Sequence, residues 1–339
     1  MKIYLRNQIM TDMARVYIFF LFSGFLIGSI STFFARKYSL GSKELGVRGV
    51  PFTGGIAIGL SLFILCLLGF PFHFLPRQVA GILVSSFLML VFGFVDDLLE
   101  LSIPAKFLVQ IVSVAVLILS GVKAQIAYLG IFFNILVTVI WILGITNAFN
   151  HLDVIDGLAG SVALIIGSSF FVISLFNQDI VSALLSLAIV GSAGGFLIFN
   201  LPPAKIYMGN SGSHFLGFLL GAVALIISYA PKQRSVALLS PLLVLGFPIM
   251  DTAFLIILRL QKRISPFKKS NDHPALRFLA LGYSRQKSLV VMSAFCLFFA
   301  LCGIIVSQAP NLLGILVVFC AGLSGLSLFV KIRRAKVYG

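Results

Sequence analysis

The acidic residues of this chain gather at the ends of its apolar segments, where they could bind a cation or a phosphate. Only 10 Asp and Glu occur among 339 residues. Asp96 and Asp97 follow one apolar run. Asp153 and Asp156 follow another, and Asp251 lies inside a third. A carboxylate at membrane depth costs about 2.5–3.5 kcal/mol on insertion scales unless a partner offsets the cost, so we expect these groups to form a site.

The segment 147–159 carries the most specific pattern, Asn-Ala-Phe-Asn-His-Leu-Asp-Val-Ile-Asp-Gly-Leu-Ala. Asn147 and Asn150 are three residues apart, and Asp153 and Asp156 repeat that spacing. Residues at this spacing share a helix face, so a helix here would align four oxygen-bearing side chains. Hard cations such as Mg²⁺ take oxygen ligands and complete their coordination with waters and phosphates. The segment predicts a cation site, with a helix-capping cluster as the alternative.

The adjacent pair Asp96 and Asp97 could divide two tasks. Neighbouring side chains on a helix point about 100° apart, so one carboxylate can face a substrate while the other holds a cation or a basic group. Like charges this close raise the pKa of one of them, and a raised pKa suits a general base. The alternative is a solvated helix end with an ion pair to Lys106.

Two further motifs lie at the starts of apolar segments. Tyr207-Met-Gly-Asn-Ser-Gly-Ser213 opens one segment, and free backbone N–H groups at a helix start can hold phosphate, although Ser211 could instead be a plain N-cap. Arg48-Gly-Val-Pro-Phe-Thr-Gly-Gly55 allows close backbone approach before another segment, or serves helix packing alone.

Two polar positions remain open between functional and structural interpretations. Asp251 is an intramembrane acid, which indicates function, but a structural ion pair with Arg259 is equally compatible with its position. The basic loop 259–288 reads as a lipid-facing surface, yet a turn at Asn271-Asp-His-Pro274 interrupts it. There His273 could bind a phosphate oxygen or donate a proton.

Membrane helices must position these residues. The chain is 60% hydrophobic with a mean hydropathy of +1.11, well above a soluble domain, and a spanning helix needs about 20 apolar residues. We predict an all-α integral membrane protein, one polytopic domain over 1–339 whose long basic cytoplasmic loop is 259–288. The eleven predicted segments are 16–34, 52–70, 79–95, 103–120, 130–148, 159–176, 180–200, 213–230, 235–258, 289–308 and 311–330.

The basic residues sort by side of the membrane. If the segments alternate, one face holds 18 of the 25 Lys and Arg, which the positive-inside rule assigns to the cytoplasm. The N-terminus then lies outside and the C-terminus inside, and every polar motif falls on the cytoplasmic face. The net charge of +15 therefore suits membrane lipid headgroups and phosphorylated substrates, and we expect no nucleic-acid partner.

Together these motifs resemble the polyprenyl-phosphate N-acetylhexosamine-1-phosphate transferases, which include the muramoyl-pentapeptide enzyme of peptidoglycan synthesis. The resemblance covers about residues 48–288 and rests on Asn-x-x-Asn-x-x-Asp-x-x-Asp-Gly-Leu-Ala at 147–159, Asp96-Asp97 and Pro248-x-x-Asp251. It implies an enzyme of the bacterial inner membrane whose active site faces the cytoplasm. Such an enzyme moves a sugar-1-phosphate from a UDP-N-acetylhexosamine to polyprenyl phosphate and releases UMP, the first membrane step of a surface glycan such as O-antigen.

The resemblance also implies roles for residues of this chain. Catalytic roles fall to Asp96, Asp97, Asp153 and His273. The implied metal ligands are Asn150 and Asn210, which would bind Mg²⁺ or alternatively Mn²⁺. Substrate binding falls to Arg48, Asn147, Asp156, Gly157, Tyr207, Ser211, Asp251 and Arg277. A homodimer is an assembly that the sequence leaves open.

Two departures from the family pattern limit the prediction. Asn210 stands where the family usually has a metal-binding Asp, which predicts weaker metal binding or a catalytically impaired relative. Pro274-Ala-Leu276 stands where more histidines are typical, which favours an N-acetylhexosamine donor over UDP-MurNAc-pentapeptide. A transporter for an anionic solute is the remaining alternative; transporters tend to show matched halves, which this sequence lacks.

Overall fold

A computed structural model of the chain describes residues 2–40, 45–47, 49–70, 75–229, 234–266, 272–333 and 335, with only the backbone for 2–10. Its helices are α1 (Lys2–Ser39), α2 (Gly54–Gly69), α3 (Arg77–Leu99), α4 (Ile103–Leu119), α5 (Gly130–Leu152), α6 (Leu158–Phe176), α7 (Ile180–Asn200), α8 (Gly209–Ile226), α9 (Ser240–Val244), α10 (Gly246–Gln261), α11 (Pro274–Ala280), α12 (Arg285–Gln308) and α13 (Asn311–Arg333). A 3₁₀ turn, Ser235–Leu239, precedes α9. Strands β1 (Gly46–Val47) and β2 (Val50–Pro51) form a small antiparallel hairpin between α1 and α2.

The helices confirm an all-α integral membrane protein. Among the described residues, eight helices are long and apolar enough to cross a membrane. A ninth candidate is the pair Ser235–Val244 and Gly246–Gln261, which bends by 67°. The apolar helices α2 and α4 are shorter. All eleven predicted segments fall on these elements, while the number of crossings and the sides of the termini stay predictions.

Burial separates a central helix group from a lipid-facing periphery. The apolar windows of α7 and α8 are largely buried inside the protein, whereas those of α1 and α13 are mostly exposed. Phe196 of α7 and Phe215 of α8 are fully buried, while Phe22 of α1 and Phe319 of α13 are exposed. Apolar side chains on an outer helix are satisfied by lipid, so this distribution is the one expected in a bilayer.

A glycine brings α3 against the start of α8. A Cβ built on Gly93 would lie 2.4 Å from the carbonyl oxygen of Asn210 and 2.6 Å from Cα of Ser211. Small residues allow backbones to approach this closely in membrane proteins. Asp97 is one helical turn beyond Gly93 and on the same side of α3, so the close contact delivers its carboxylate to the first turn of α8.

The predicted stripe of four polar residues ends early, which corrects the sequence analysis. Helix α5 stops at Leu152, and Asp153 is its C-cap. Asn147 and Asn150 are therefore helical, but Asp153 and Asp156 lie in the turn before α6. The turn frees both carboxylates from the helix axis, so they face a different direction from Asn147.

The loops predicted to share one face do converge. The hairpin, the α3–α4, α5–α6 and α7–α8 connections and the segment before α12 contribute to one cleft. The C-terminal tail joins them, since Nη1 of Arg277 donates to the carbonyl oxygens of Arg333 at 3.3 Å and Ala335 at 2.6 Å. These loops therefore lie together, as predicted, while the alternation of membrane crossings inferred from the sequence stays a prediction.

Candidate active site

A cleft of about 580 Å³ opens where these loops meet. The volume is in the range of pockets that hold small-molecule ligands, about 300–1,000 Å³. Its polar lining comes from four separate parts of the chain and comprises Asp96, Asp97, Glu100, Asn150, Asp153, Asp156, Asn200, Tyr207, Asn210 and Arg285. Seven of the predicted site residues are in this lining, namely Asp96, Asp97, Asn150, Asp153, Asp156, Tyr207 and Asn210.

Asp96 is buried and fully engaged. Its Oδ2 accepts hydrogen bonds from Nζ of Lys106 at 2.6 Å and from Nδ2 of Asn210 at 3.0 Å. Its Oδ1 accepts from the backbone N–H of Leu101 at 2.9 Å. The ion pair with Lys106, which the sequence offered as an alternative, is therefore present. A buried carboxylate needs such partners, and here they tie α3, α4 and α8 together.

Asp97 caps a helix from another part of the chain. Its Oδ1 accepts from the N–H of Asn210 at 2.8 Å, and its Oδ2 accepts from the N–H of Ser211 at 3.0 Å. The first N–H groups of a helix have no partner within the helix, and the partial positive charge at the helix N-terminus attracts an anion. Glycine is required at position 209, the first residue of α8, for two reasons. Its φ is +71°, and a Cβ there would lie 2.6 Å from Oδ2 of Asp97.

Asn150 and Asn210 meet across the cleft. Nδ2 of Asn150 donates to Oδ1 of Asn210 at 2.9 Å and to Oγ of Ser213 at 3.1 Å. Both bonds use the amide nitrogen of Asn150, so its amide oxygen is not part of them. The two predicted metal ligands are therefore neighbours, and Ser213 is a partner that the sequence analysis did not single out for this role.

Asp153 and Asp156 occupy the turn between α5 and α6. In the described part of the chain, Asp153 makes no hydrogen bond or ion pair. Burial, with the neighbouring charges of Asp97 and Asp156, raises the pKa of Asp153 to about 7. Asp156 instead accepts from the N–H of Ala204 at 3.1 Å and lies 3.8 Å from Nη1 of Arg285. One carboxylate is thus uncommitted and the other is held.

The α7–α8 connection is fastened on both sides. Tyr207, which lines the cleft, donates its N–H to the carbonyl oxygen of Pro51 at 2.7 Å, and its own carbonyl oxygen accepts from Gly54 at 3.0 Å. Asn200 accepts from the N–H of Gly157 at 3.0 Å through Oδ1 and donates to Ile206 at 2.8 Å. Gly157 is therefore buried behind the cleft rather than in its lining.

Three predicted substrate-binding residues do not reach the cleft. Asn147 exchanges hydrogen bonds with Gln110, joining α5 to α4. Asp251 is buried beside a small apolar cavity formed with Phe247 and Phe254. Ser211 is fully buried and contributes its backbone N–H to Asp97. Each is accounted for by packing or by a contact beneath the site.

Arg277 is also outside the cleft. Its Nη2 pairs with Oδ1 of Asp272 at 2.7 Å, and both side chains are almost completely buried. Lys262 reaches the same oxygen at 2.7 Å. Burial by itself raises the pKa of the Asp272 carboxyl, but the hydrogen bonds from Lys262 and Arg277 outweigh burial and hold that pKa below its ordinary value. The Arg277 guanidinium therefore stabilises the fold. The other predicted arginine, Arg48, lies outside the described residues.

His273 precedes α11 and packs against His151, with 6.2 Å between the ring centroids. Its Nδ1 is buried and has no hydrogen-bond partner among the residues that the structure covers. Burial, with the nearby charge of Arg259, lowers the pKa of His273 to about 4. The ring is thus neutral at physiological pH, and it is absent from the cleft lining.

The sequence analysis missed three polar cleft residues, namely Glu100, Arg285 and Asn200. Arg285 begins α12 and extends into the cleft with a largely exposed side chain. Asn200 ends α7 and supports the turn that carries Asp156. Neither Arg285 nor Asn200 stands in a motif, so only the convergence of distant loops identifies these two residues.

The donor chemistry of the cleft fits a hard cation that is shared with a phosphate ligand. Asn150, Asn210 and Asp153 present oxygen atoms, the ligand type that Mg²⁺ prefers. Within the described ranges, no group of three or more His, Cys, Asp or Glu is arranged to hold a metal. Mg²⁺ commonly binds through one or two carboxylates plus substrate phosphates, and this lining matches that mode.

Known proteins share extended sequence similarity with this chain. The sequence profile described as glycosyl transferase family 4 matches residues 79–228. A probable undecaprenyl-phosphate N-acetylglucosaminyl 1-phosphate transferase of Bacillus subtilis is 34% identical over 292 residues, which cover 82% of this chain and 79% of that protein. The undecaprenyl-phosphate alpha-N-acetylglucosaminyl 1-phosphate transferase of Thermotoga maritima is 30% identical, covering 87% and 91%. A phospho-N-acetylmuramoyl-pentapeptide-transferase of Shouchella clausii is 32% identical over a shorter region, 57% of this chain and 68% of that protein.

Proposed function

The chain belongs to glycosyl transferase family 4, and we propose that it transfers N-acetylhexosamine-1-phosphate from a UDP-sugar to undecaprenyl phosphate with release of UMP. One observation carries the proposal: Asp97, Asn150, Asp153 and Asn210, from three separate parts of the chain, line a single cleft among apolar helices. A water-soluble sugar nucleotide and a lipid phosphate can both reach such a site.

The cleft opens to the cytoplasm of a bacterial cell in this proposal, and the protein lies in the inner membrane. The support is the basic face, which holds 18 of the 25 Lys and Arg and which carries the cleft. Basic residues accumulate in cytoplasmic loops, and sugar nucleotides are cytoplasmic metabolites. Anionic lipid headgroups are then the neighbours of the exposed basic residues.

The reaction is a phosphoryl-type transfer. A phosphate oxygen of the lipid attacks the β-phosphorus of the sugar nucleotide and forms a new P–O bond. The bond between that phosphorus and the bridging oxygen of the α-phosphate breaks, and UMP leaves with that oxygen. Such chemistry depends mainly on placement and on neutralisation of charge, which is the work that the cleft residues do.

Asp153 is the proposed proton acceptor. It has no partner within the described part of the chain, and its pKa of about 7 is close to the working pH, as general bases require. It can therefore take the proton of a monoanionic acceptor phosphate before attack. Asp97 is a positioning residue in this scheme, because both of its oxygens hold the N-terminus of α8.

Asn150 and Asn210 are the residues that would hold Mg²⁺, with Mn²⁺ as a substitute. Mg²⁺ bound there would neutralise the charge that the diphosphate develops as the bond breaks. Arg285, at the cleft edge, would contact a phosphate of the nucleotide, and Tyr207 would offer its ring to the base. Membrane-facing residues beside the cleft would admit the lipid tail.

The donor that we favour is a UDP-N-acetylhexosamine. Two relatives that match 82% and 87% of this chain are named as N-acetylglucosaminyl 1-phosphate transferases, whereas the pentapeptide transferase of Shouchella clausii matches 57% of it. The segment around His273 also lacks the run of histidines that the muramoyl-pentapeptide enzyme carries, since Pro274-Ala-Leu276 follows it. The product would begin a cell-surface glycan.

The test is a UMP-release assay with purified protein, Mg²⁺ and undecaprenyl phosphate. UDP-GlcNAc, UDP-GalNAc and UDP-MurNAc-pentapeptide are compared as donors, and lipid-linked sugar diphosphate is measured in parallel. We expect UMP and lipid product in equal amounts with a UDP-N-acetylhexosamine. Absence of UMP from every donor, while the nucleotides still bind, would instead identify a catalytically impaired family member.

A further inference from the structure

The carboxylates nearest Asn210 are already neutralised by the protein itself. Asp96 accepts from the Lys106 ammonium, the Asn210 amide and a backbone N–H. Asp97 accepts two N–H groups at the positive end of α8. An anionic oxygen that is bound to an ammonium or to a helix N-terminus attracts a second cation much less strongly.

Asn210 allows the charges at this end of the cleft to be balanced without a bound cation. Its Nδ2 donates to Oδ2 of Asp96 at 3.0 Å, and its Oδ1 accepts from Asn150. A carboxylate at 210 would instead face Asp96 at about this distance and would repel it, a conflict that a bound cation relieves. The amide removes the repulsion and with it the need for a resident cation.

What remains for a divalent ion is the pair of neutral amide oxygens of Asn150 and Asn210, because Asp153 is the proposed proton acceptor. A hydrated Mg²⁺ loses its waters reluctantly, and neutral oxygens offset little of that cost. Two or more phosphate charges of a bound nucleotide would supply what the protein lacks.

We propose that this cleft takes up its divalent cation only together with the diphosphate of the donor, and that it holds no cation before the nucleotide arrives. This inference rests on the proposed function, since it assumes that the cleft receives a nucleoside diphosphate. It assigns to Asn210, hydrogen-bonded to Asp96, the role of preventing cation binding to the nucleotide-free enzyme.

Binding can be measured without turnover. Equilibrium dialysis of labelled UDP against the detergent-purified full-length protein, with EDTA or with Mn²⁺, gives the effect of the ion on nucleotide affinity. We expect Mn²⁺ to tighten UDP binding at least about tenfold. By linkage, UDP must tighten Mn²⁺ binding by the same factor, so dialysis of labelled Mn²⁺ with the protein alone should show Mn²⁺ binding that is weaker by that factor, with most of the protein free of Mn²⁺ at concentrations that half-saturate the complex.

Asn210→Asp is the informative variant and Asp12→Asn its control. The Asp variant should bind Mn²⁺ without UDP, and the coupling between the two ligands should shrink. Asp12 is an exposed carboxylate that pairs with Arg15 on α1, so its removal should leave both affinities unchanged.

The outcomes separate the two proposals. Mn²⁺ bound in the cleft of the wild-type protein as tightly without UDP as with it would overturn the inference, while UDP binding still supports the proposed function. Equal Mn²⁺ binding by the wild type and by Asn210→Asp in the absence of UDP would also overturn it. A cleft that binds UDP under no condition would remove the proposed function itself.

Discussion

The carboxylate of Asp97 accepts a hydrogen bond of 2.8 Å from the backbone N–H of Asn210, so the last turn of α3 caps the first turn of α8. The contact joins residues 113 positions apart. It gives the second residue of the adjacent aspartate pair a definite physical role, because the helix start that it holds also carries Asn210 into the cleft.

Replacing Asp97 with Asn should lower both stability and turnover. One side-chain oxygen remains for two N–H groups, and loss of a helix cap costs about 1 kcal/mol. The displaced helix start should misplace Asn210, so we expect UMP release to fall by at least about 100-fold, as a displacement near 1 Å can cause. Thermal unfolding in detergent and the UMP assay measure the two effects.

Asp179→Asn is the matched control for this change. Asp179 caps α7 by accepting from the N–H of Ser182 at 3.0 Å, and it is not in the cleft lining. Its replacement should lower the melting temperature by a similar amount and leave turnover intact. Full activity of Asp97→Asn would show that the cap does not position the site.

The activity should follow the ionisation of Asp153. With a pKa near 7, its proton-accepting form grows as pH rises, so kcat/KM should climb about tenfold per pH unit below 7 and level off above it. Asp153→Asn should remove this limb and most of the turnover. A wild-type profile that is flat between pH 5.5 and about 8 would contradict the assignment.

The same pKa shift predicts a stability effect of opposite sign. An unfolded Asp releases its proton near pH 4, whereas the folded protein keeps this proton up to about pH 7. The folded state is thus favoured at low pH and loses stability as pH rises through that window. Asp153→Asn cannot ionise, so it should melt above the wild type at pH 8, and the difference should narrow toward pH 5.

Lys106 should be needed because Asp96 is buried. The Nζ–Oδ2 distance is 2.6 Å, and the Asp96 side chain has no exposed surface. Lys106→Met would leave that carboxylate without its ion pair, which costs about 3–5 kcal/mol for a buried pair. Adding Asp96→Asn should recover much of the loss, because the uncompensated charge disappears. Additive losses in the double variant would show that the two side chains are not coupled.

Arg277 and Arg285 should respond in opposite ways to replacement by Met. Arg277 forms a buried pair with Asp272, so its loss should lower stability by about 3–5 kcal/mol with little change in KM for the sugar nucleotide. Arg285 is 64% exposed at the cleft edge, so its loss should leave stability unchanged and raise KM about tenfold, the value of one charge-assisted hydrogen bond. Thermal unfolding and steady-state kinetics on both variants measure these effects. A higher KM for Arg277→Met would show that Arg277 contributes to substrate binding.

The helices could be predicted because their signal is local. Each long apolar run must satisfy its backbone internally in a membrane, so composition along the chain predicts elements such as α3 and α5 directly. Local spacing failed at Asp153 and Asp156, because their alignment with Asn147 assumed that the helix continued beyond Leu152. The turn that replaced it depends on Asn200 holding Gly157, a contact that spacing cannot reveal.

The sequence by itself determined that oxygen-bearing side chains would collect on one face of a bundle of membrane helices, since the order of apolar runs and basic loops decides which ends lie together. Only the tertiary structure decided how those side chains are used. Asp96 and Asp97 are adjacent in sequence, yet one pairs with Lys106 and the other caps α8, while Arg277 stabilises the C-terminal tail and Arg285 lines the cleft. The physical reason is that the role of each charged group is fixed by partners from distant segments, and these segments approach one another only when the helices pack.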